Sequence, residues 1–574
     1  MKHWIWLLKT AWKSQALFLV ILFLLYSVLY LLEPLSSLLI KQFINELPEL
    51  TMLSPKVIFC IVLLYFLTSL QNIQYSYSMI VIEKIENELS IVLQKHFFKA
   101  LQKANLVRFD QKEYLDKLHR SEEFSWYGMS NLLNEIYHLV AQIVSIGITA
   151  YLIAKESVLF AICLFIFALF KHILDGKYIK EGIENQIYFD KKDRKIDYFF
   201  EQLTEKKSIK ELKVSNGFEW IYKKWENENE QRIKSKVNFV KKWNLLYFGN
   251  GMVGSGIDKV MLFSLAYFVV KNQISLGSFF FLYHIKDVFL QGIDSLFQSW
   301  ITLKEQEIYI KEFQELLKIE DSYEHKKELE NDIVICNHVS FSYPNKKDVL
   351  KNITFKIGRG EIVALVGENG SGKSTLANVI LGLLQPSTGE IQRTNRKING
   401  VYQDFTKFEL SFEENIVFGD LEHKDEEKLF LKAIEKGNSE SIYHKIDRNK
   451  TAILGKSFDE DGFELSGGEW QKIAVSRGFF GKNPFIIFDE PSASFDPISE
   501  IKQYGKIKET LKENGGIIIT HRIGLAKNAD RILFLKSGEL VEEGTHEELI
   551  KKQGMYKEFF DTQAKWYEEG ERCE

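Results

Sequence analysis

At 574 residues the chain exceeds what one hydrophobic core supports, so two or more domains are expected. A formal net charge of -4, with Lys and Arg interleaved among Asp and Glu, excludes a basic tract and gives no indication of nucleic acid as a partner. The four cysteines, Cys60, Cys163, Cys336 and Cys573, are scattered with no CxxC pair and no His at metal-ligand spacing, so they read as ordinary thiols.

Hydrophobicity is unevenly spread. Up to about residue 300, Phe, Leu, Ile, Tyr and Trp run in long uninterrupted stretches, and the remainder reads as soluble α/β sequence. Met1 to Ser14 carries Lys2, Lys9 and Lys13 ahead of an apolar run, but no small-residue cleavage site follows, so a retained first membrane helix is expected. Stretches near 16–40, 57–80, 132–154, 157–174, 246–270 and 277–298 are each apolar enough, and about long enough, to cross a ~30 Å hydrocarbon layer of the bilayer. Six spans put both termini on one side. The first, third and fifth connections are short, whereas the second and fourth are long and rich in Lys and Arg, which places them in the cytoplasm. From about residue 57 to 104 a single helix of ~50 residues, ~75 Å long, would project well beyond the bilayer. Ile82, Ile85, Leu89, Leu93, Phe97 and Leu101 keep one apolar face along that projection, so it is expected to pack on other helices; a separate soluble insert is the alternative. Phe109 to Leu115 and Glu201 to Asn216 read as segments that turn the chain back toward the membrane, either coupling elements or solvated turns.

In the last span His284, Asp287, Gln291, Asp294 and Gln298 recur at spacings of three and four and share one helical face. A charge facing lipid at the bilayer centre costs ~2.5–3.5 kcal/mol, so Asp258, Lys259, Lys286 and Asp287 must line a water-filled cavity or pair between helices. With Tyr283, a cavity of this mixed character would suit an amphipathic cargo.

In the second half Asn331 to Asp348 precedes the domain's first strands, with Tyr343 placed to stack on an adenine. The β-branched run Ile362 to Val366 leads into Gly367, Glu368, Asn369, Gly370, Ser371, Gly372, Lys373, Ser374 and Thr375, which fits a phosphate-gripping loop between strand and helix and implies ATP. Its glycines let backbone N–H groups turn inward, Lys373 supplies charge to the β and γ phosphates, and Ser374 offers a hydroxyl to Mg²⁺. Phe485 to Phe488 is a buried strand ending in Asp489, a candidate Mg²⁺ ligand through water, and Glu490, which would polarise the attacking water. Ile517 to Ile519 is another, and it delivers Thr520 and His521 to the same carboxyl edge.

Between these strands stands Leu465-Ser466-Gly467-Gly468-Glu469. With it the chain resembles an ABC transporter of the exporter type: an all-α polytopic membrane domain (1–315), a linker (316–330) and an α/β P-loop ATPase domain (331–574). The resemblance implies that Ser466, Gly467, Gly468 and Glu469 form the family signature, that Gln403 contacts the γ-phosphate and its metal, that Ala493 to Asp496 is the D-loop and that His521 is the switch histidine. It also implies that two copies clasp two ATP molecules, each held by the phosphate loop of one and the signature of the other. One chain carries half of that set, so a homodimer with two hydrolysing sites is expected. Two departures stand out: Glu469 replaces the commoner Gln, and Ser457 to Phe463 differs from the usual exporter loop.

Gln403 to Leu410 with Glu414 to Ile416, and Leu465 to Ala474 with Trp470 and Lys472, resemble exporters of lantibiotics and related modified peptides. That implies a peptide cargo, with a modification enzyme as a further partner. A first span near residue 16 leaves no room for an N-terminal peptidase, so another protein would cleave any leader. The alternatives are a lipid or multidrug exporter and, from another class, a membrane-anchored regulatory ATPase that transports nothing.

Overall fold

The structure, a computed structural model, describes residues 2–46, 55–172, 175–319, 329, 332–344, 346–394, 398–482, 485–490, 505–509, 511–512, 514–521 and 526–570. The chain forms two compact units, Met1–Lys103 with Lys112–Glu320, and Ala104–Gln111 with Asp321–Glu574.

The first unit is helical: α1 (Lys2–Glu46), α2 (Pro55–Lys103), α3 (Lys112–Glu123), α4 (Met129–Glu156), α5 (Val158–Lys171), α6 (Asp175–Thr204), α7 (Lys206–Val214), α8 (Phe218–Val270) and α9 (Leu276–Leu317). Helix α1 breaks at Gln15, whose backbone is non-helical. The segment before the break buries Leu7 and Ala11 and sets the Trp6 ring 6.2 Å from that of Phe313 on α9. Helix α2 runs unbroken for 49 residues and buries Ile85, Leu89, Leu93 and Phe97, so its projecting part packs one face against its neighbours. Farther toward its start, Phe59 and Tyr65 stay exposed, as side chains facing lipid would.

By length and composition four helices among the described residues could cross a membrane, at Trp4–Asn45, Ile58–Lys103, Glu135–Glu156 and Phe218–Val270. Helix α5 is apolar but shorter. Helix α9, read from sequence as the sixth span, is not among the four; its charged stripe lowers its hydropathy, and it packs mainly against α1 and α4. Phe281, Leu282, Ile285 and Phe289 of α9 form a core with Ile153, Leu164, Ala168 and Leu265. The charged stretches of α6 and α8, within residues 181–195 and 228–242, are joined by ion pairs, Lys195 to Glu228 (2.5 Å), Lys242 to Glu181 (2.7 Å) and Arg232 to Asp193, as helical stretches outside a bilayer allow.

The second unit holds two sheets. Strands β1 (Asp332–Tyr343), β2 (Lys346–Gly358) and β4 (Thr388–Arg393) form an antiparallel sheet in the order β2-β1-β4. Strands β3 (Ile362–Gly367), β5 (Ile398–Val401), β6 (Phe485–Asp489), β7 (Gly516–Ile519), β8 (Arg531–Lys536) and β9 (Glu539–Gly544) form a six-stranded sheet in the order β5-β6-β7-β3-β8-β9. All residues of β3 and β7 are buried, which is why both read as continuous apolar runs rather than alternating ones. The helices here are α10 (Lys373–Leu381), α11 (Phe412–Val417), α12 (Glu427–Lys436), α13 (Glu440–Lys445), α14 (Gly467–Phe479), α15 (His546–Lys552) and α16 (Met555–Gly570). Residues 104–111 belong to this unit, with Val107 against the core built on β1 and β2.

Candidate functional site

Strands β5, β6, β7 and β3 run parallel and in register, Val401 beside Phe488, Asp489 beside Ile519, and Ile519 beside Leu365. Their carboxyl ends therefore bring Gln403, Asp489 and Glu490, Thr520 and His521, and the loop after Gly367 to one edge, where ligands of open α/β sheets bind.

The loop between β3 and α10 needs its glycines. Gly367 approaches the carbonyl of Leu535 so closely that a Cβ would lie 2.1 Å from that oxygen, and Gly372 takes φ +104 with Val349 O 3.0 Å from where a Cβ would be. Lys373 is buried, and its Nζ donates to the carbonyls of Gly367 and Glu368, both at 2.9 Å. Burial pushes this ammonium below its ordinary value, while Glu490 and Asp489 pull it up. A poorly solvated cation held only by loop carbonyls suits a phosphate. So does the buried Ser371 Oγ, which has no hydrogen-bond partner among the described residues.

Asp489 accepts a hydrogen bond from the Ser374 hydroxyl. Burial raises its carboxyl above the ordinary range and Glu490 adds to the rise, while Ser374 and Lys373 oppose it. A hydroxyl and a poorly solvated carboxylate side by side are a donor set for a hard cation, so these residues fit Mg²⁺. Glu490 sits at φ +49, a left-handed conformation uncommon for a non-glycine residue. Its Oε1 lies 2.8 Å from Nδ1 of His521. Tyr343 packs edge-on against Phe341 at 4.9 Å, with its hydroxyl 3.5 Å from Thr375 Oγ1. Gln403 is exposed in the turn after β5. Asp496 lies outside the described residues.

Ser466 caps α14 in a reciprocal capping box: its Oγ accepts from the Glu469 N–H at 3.3 Å, and Glu469 Oε2 accepts the Ser466 N–H at 2.8 Å. Around Gly467 and Gly468 an added Cβ would meet nothing within 4 Å.

Sequence reasoning missed Arg477 and Asn415. Arg477 Nε and Nη2 donate to the backbone and side-chain oxygens of Asn415 at 2.8 and 2.9 Å, Nη1 donates to Thr406 O at 3.3 Å, and the guanidinium lies over the Phe408 ring at 4.9 Å. Asn415 Nδ2 in turn donates to the carbonyls of Phe408, Leu410 and Ser411. The irregular segment after Gln403 is thus tied to the signature helix by side chains. No local pattern reveals a pairing 62 residues apart.

In the first unit the charged stripe is paired. Lys286, only 2% exposed, meets Asp258 and lies 2.9 Å from Asp287, with Lys259 3.5 Å from Asp258 and the Tyr283 ring beneath the Lys286 ammonium at 4.4 Å. Asp294 accepts from Lys171 at 2.5 Å and lies 3.0 Å from His172. His284 Nδ1 is 2.9 Å from Ser37 Oγ, and Gln291 is exposed. Lys286 with Asp258, and Asp294 with Lys171, are pairs between helices.

A sequence profile of the ABC transporter family matches residues 350–493. The nisin transport ATP-binding protein of Lactococcus lactis subsp. lactis is 26% identical over 96% of this chain and 93% of its own length. Residues 350–493 thus form an ABC transporter domain. The subtilin transport ATP-binding protein of Bacillus subtilis is 31% identical over 65% of this chain, and the match spans 63% of the subtilin protein, just short of two thirds. The ATP-dependent lipid A-core flippase of Alcanivorax borkumensis is 30% identical over 39% of each chain. The structure of a bacterial Atm1-family ABC exporter with ATP bound shares the fold, with a TM-score of 0.79 and 20% identity, covering 96% of this chain and 98% of that one. The second unit is therefore an ABC ATPase domain, and the chain is a multi-pass membrane protein.

Proposed function

We propose that two copies of this chain form an ATP-driven exporter of a peptide of the lantibiotic kind. The observation that carries the two-copy reading is the free space around Gly467 and Gly468. Glycine lowers helix stability by up to about 1 kcal/mol against alanine, and nothing among the described residues requires it here. A close approach from outside does, and the triphosphate held by a second copy's phosphate loop supplies one. The helix N-terminus at Ser466, with its free N–H groups and positive dipole end, is suited to that anion.

Within each site Lys373 and the loop amides grip the phosphates, and Ser374, Asp489 and Gln403 would hold Mg²⁺. Bound Mg²⁺ would neutralise charge on the β and γ oxygens. Glu490 orients the attacking water and draws its proton, and His521, fixed by Glu490, presents its remaining ring nitrogen to the γ-phosphate. ATP favours the closed pair only through its greater affinity for that state, and hydrolysis returns the open one. Phe109 to Leu115 and Glu201 to Asn216 are the segments that would carry closure to the membrane helices.

The peptide cargo follows the printed function of the nisin and subtilin relatives; the flippase relative makes lipid the competing cargo. The test is ATP-dependent uptake into inside-out vesicles, with the chain's turnover measured alongside. A modified cationic peptide should raise turnover and accumulate, and lipid or hydrophobic drugs should do neither. Hydrolysis without accumulation of any cargo would point to the regulatory ATPase instead.

A further inference from the structure

Glu469 puts a carboxylate in the first turn of the signature helix, where a triphosphate from the second copy is to bind. An unbalanced negative charge there works against the helix dipole's attraction for phosphate. The carboxylate is ionised at neutral pH, since burial raises it but the Ser466 N–H, Lys445 and the Ser466 hydroxyl together hold it below the ordinary carboxylate range. Lys445, the last residue of α13, places its Nζ 3.0 Å from Glu469 Oε1. Neither partner is deeply buried, at 49% and 26% side-chain exposure, so the pair is no structural core bridge. Its geometry is nonetheless set by packing. Ile442 of α13 and Ile446 just after it share one core with Trp470 and Ile473 of α14, which fixes one helix against the other. We propose that Lys445 is a positioning and charge-balancing residue of the nucleotide site, which makes Glu469 compatible with the triphosphate of an ATP held by a second copy. The inference rests on the two-copy reading above.

The pair acts as a unit: Lys445 holds one carboxylate oxygen, leaving the other for the Ser466 N–H, and cancels the charge the commoner glutamine never introduces. Removing Lys445 leaves an uncompensated anion at the signature, whereas removing both charges leaves none.

The test is a double-mutant cycle on the full-length chain in proteoliposomes, with KM for Mg·ATP and kcat measured separately. Lys445→Ala should raise KM about three- to fivefold, the upper range for an exposed ion pair, and change kcat less. Lys445→Arg should restore KM, and Lys445→Ala should have little effect on KM in the Glu469→Gln background. The KM rise should also shrink at about 0.5 M salt. An unchanged KM in Lys445→Ala, or an equal rise in both backgrounds, would overturn the proposal. Failure of the two-copy reading is told apart by wild-type turnover per chain that does not depend on self-association; if turnover does depend on it and the cycle shows no coupling, only the role of Lys445 falls.

Discussion

Nδ1 of His521 lies 2.8 Å from Oε1 of Glu490, which joins the ends of two parallel strands across the edge where the phosphate loop opens. The contact commits one imidazole nitrogen to the carboxylate and leaves the other for substrate. On the proposed mechanism Glu490 is the base, while its neighbour Asp489 is engaged by Ser374.

Glu490→Gln keeps the size of the side chain and a hydrogen-bonding oxygen while removing the base. Turnover should fall by a factor of about 10² or more, with Mg·ATP binding retained. Phosphate release and nucleotide-binding assays on the same preparation check this; wild-type turnover would remove Glu490 from the mechanism.

Gly468→Ala separates folding from function. Nothing among the described residues obstructs the added methyl, so thermal stability should be unchanged or slightly raised, yet on the two-copy proposal turnover should drop at least tenfold because the methyl would enter the space proposed for the second copy's nucleotide. Thermal unfolding and ATPase assays in the same detergent decide it.

The Asp489 carboxyl gives a pH dependence whose sign follows from its burial. Its folded value lies above the unfolded one, so it contributes stability at acid pH that is lost as pH rises through the raised value. The same proton competes with Mg²⁺. Affinity for Mg·ATP should therefore begin to weaken on acidification above the ordinary aspartate range, and Asp489→Asn should flatten that limb. Nucleotide titrations from about pH 8 to about pH 4.5 measure it.

Arg477, whose guanidinium burial pushes down to about 10, holds the segment after Gln403 through Thr406 and Asn415. Arg477→Met should destabilise the protein by about 2–3 kcal/mol, since charged hydrogen bonds are lost and the Asn415 acceptors are left unpaired. A lowered midpoint in thermal unfolding of the full chain reads this out, and Arg477→Lys should recover only part, lacking the forked geometry.

The ATPase edge was legible because a phosphate loop and two apolar strands ending in acidic or His residues are local patterns, and a parallel sheet brings them together with little freedom. The long helix α2 was legible for a similar reason, one apolar face sustained over many turns. Helices α6 and α8 were not, because their outer parts are held by ion pairs such as Lys195 to Glu228 rather than by an apolar stripe. Spacing alone showed that α9 presents a polar face. It could not show that Lys286 reaches Asp258 on α8, nor that Lys445 reaches Glu469, because both are tertiary meetings of polar side chains.

The central claim is that each catalytic site is completed by a second copy of the chain. It is tested most directly by measuring mass and ATP turnover together, as a function of protein concentration, in detergent with saturating Mg·ATP. Turnover per chain should rise with the fraction of two-chain particles and vanish where single chains prevail; a single-chain particle with undiminished turnover would contradict the account.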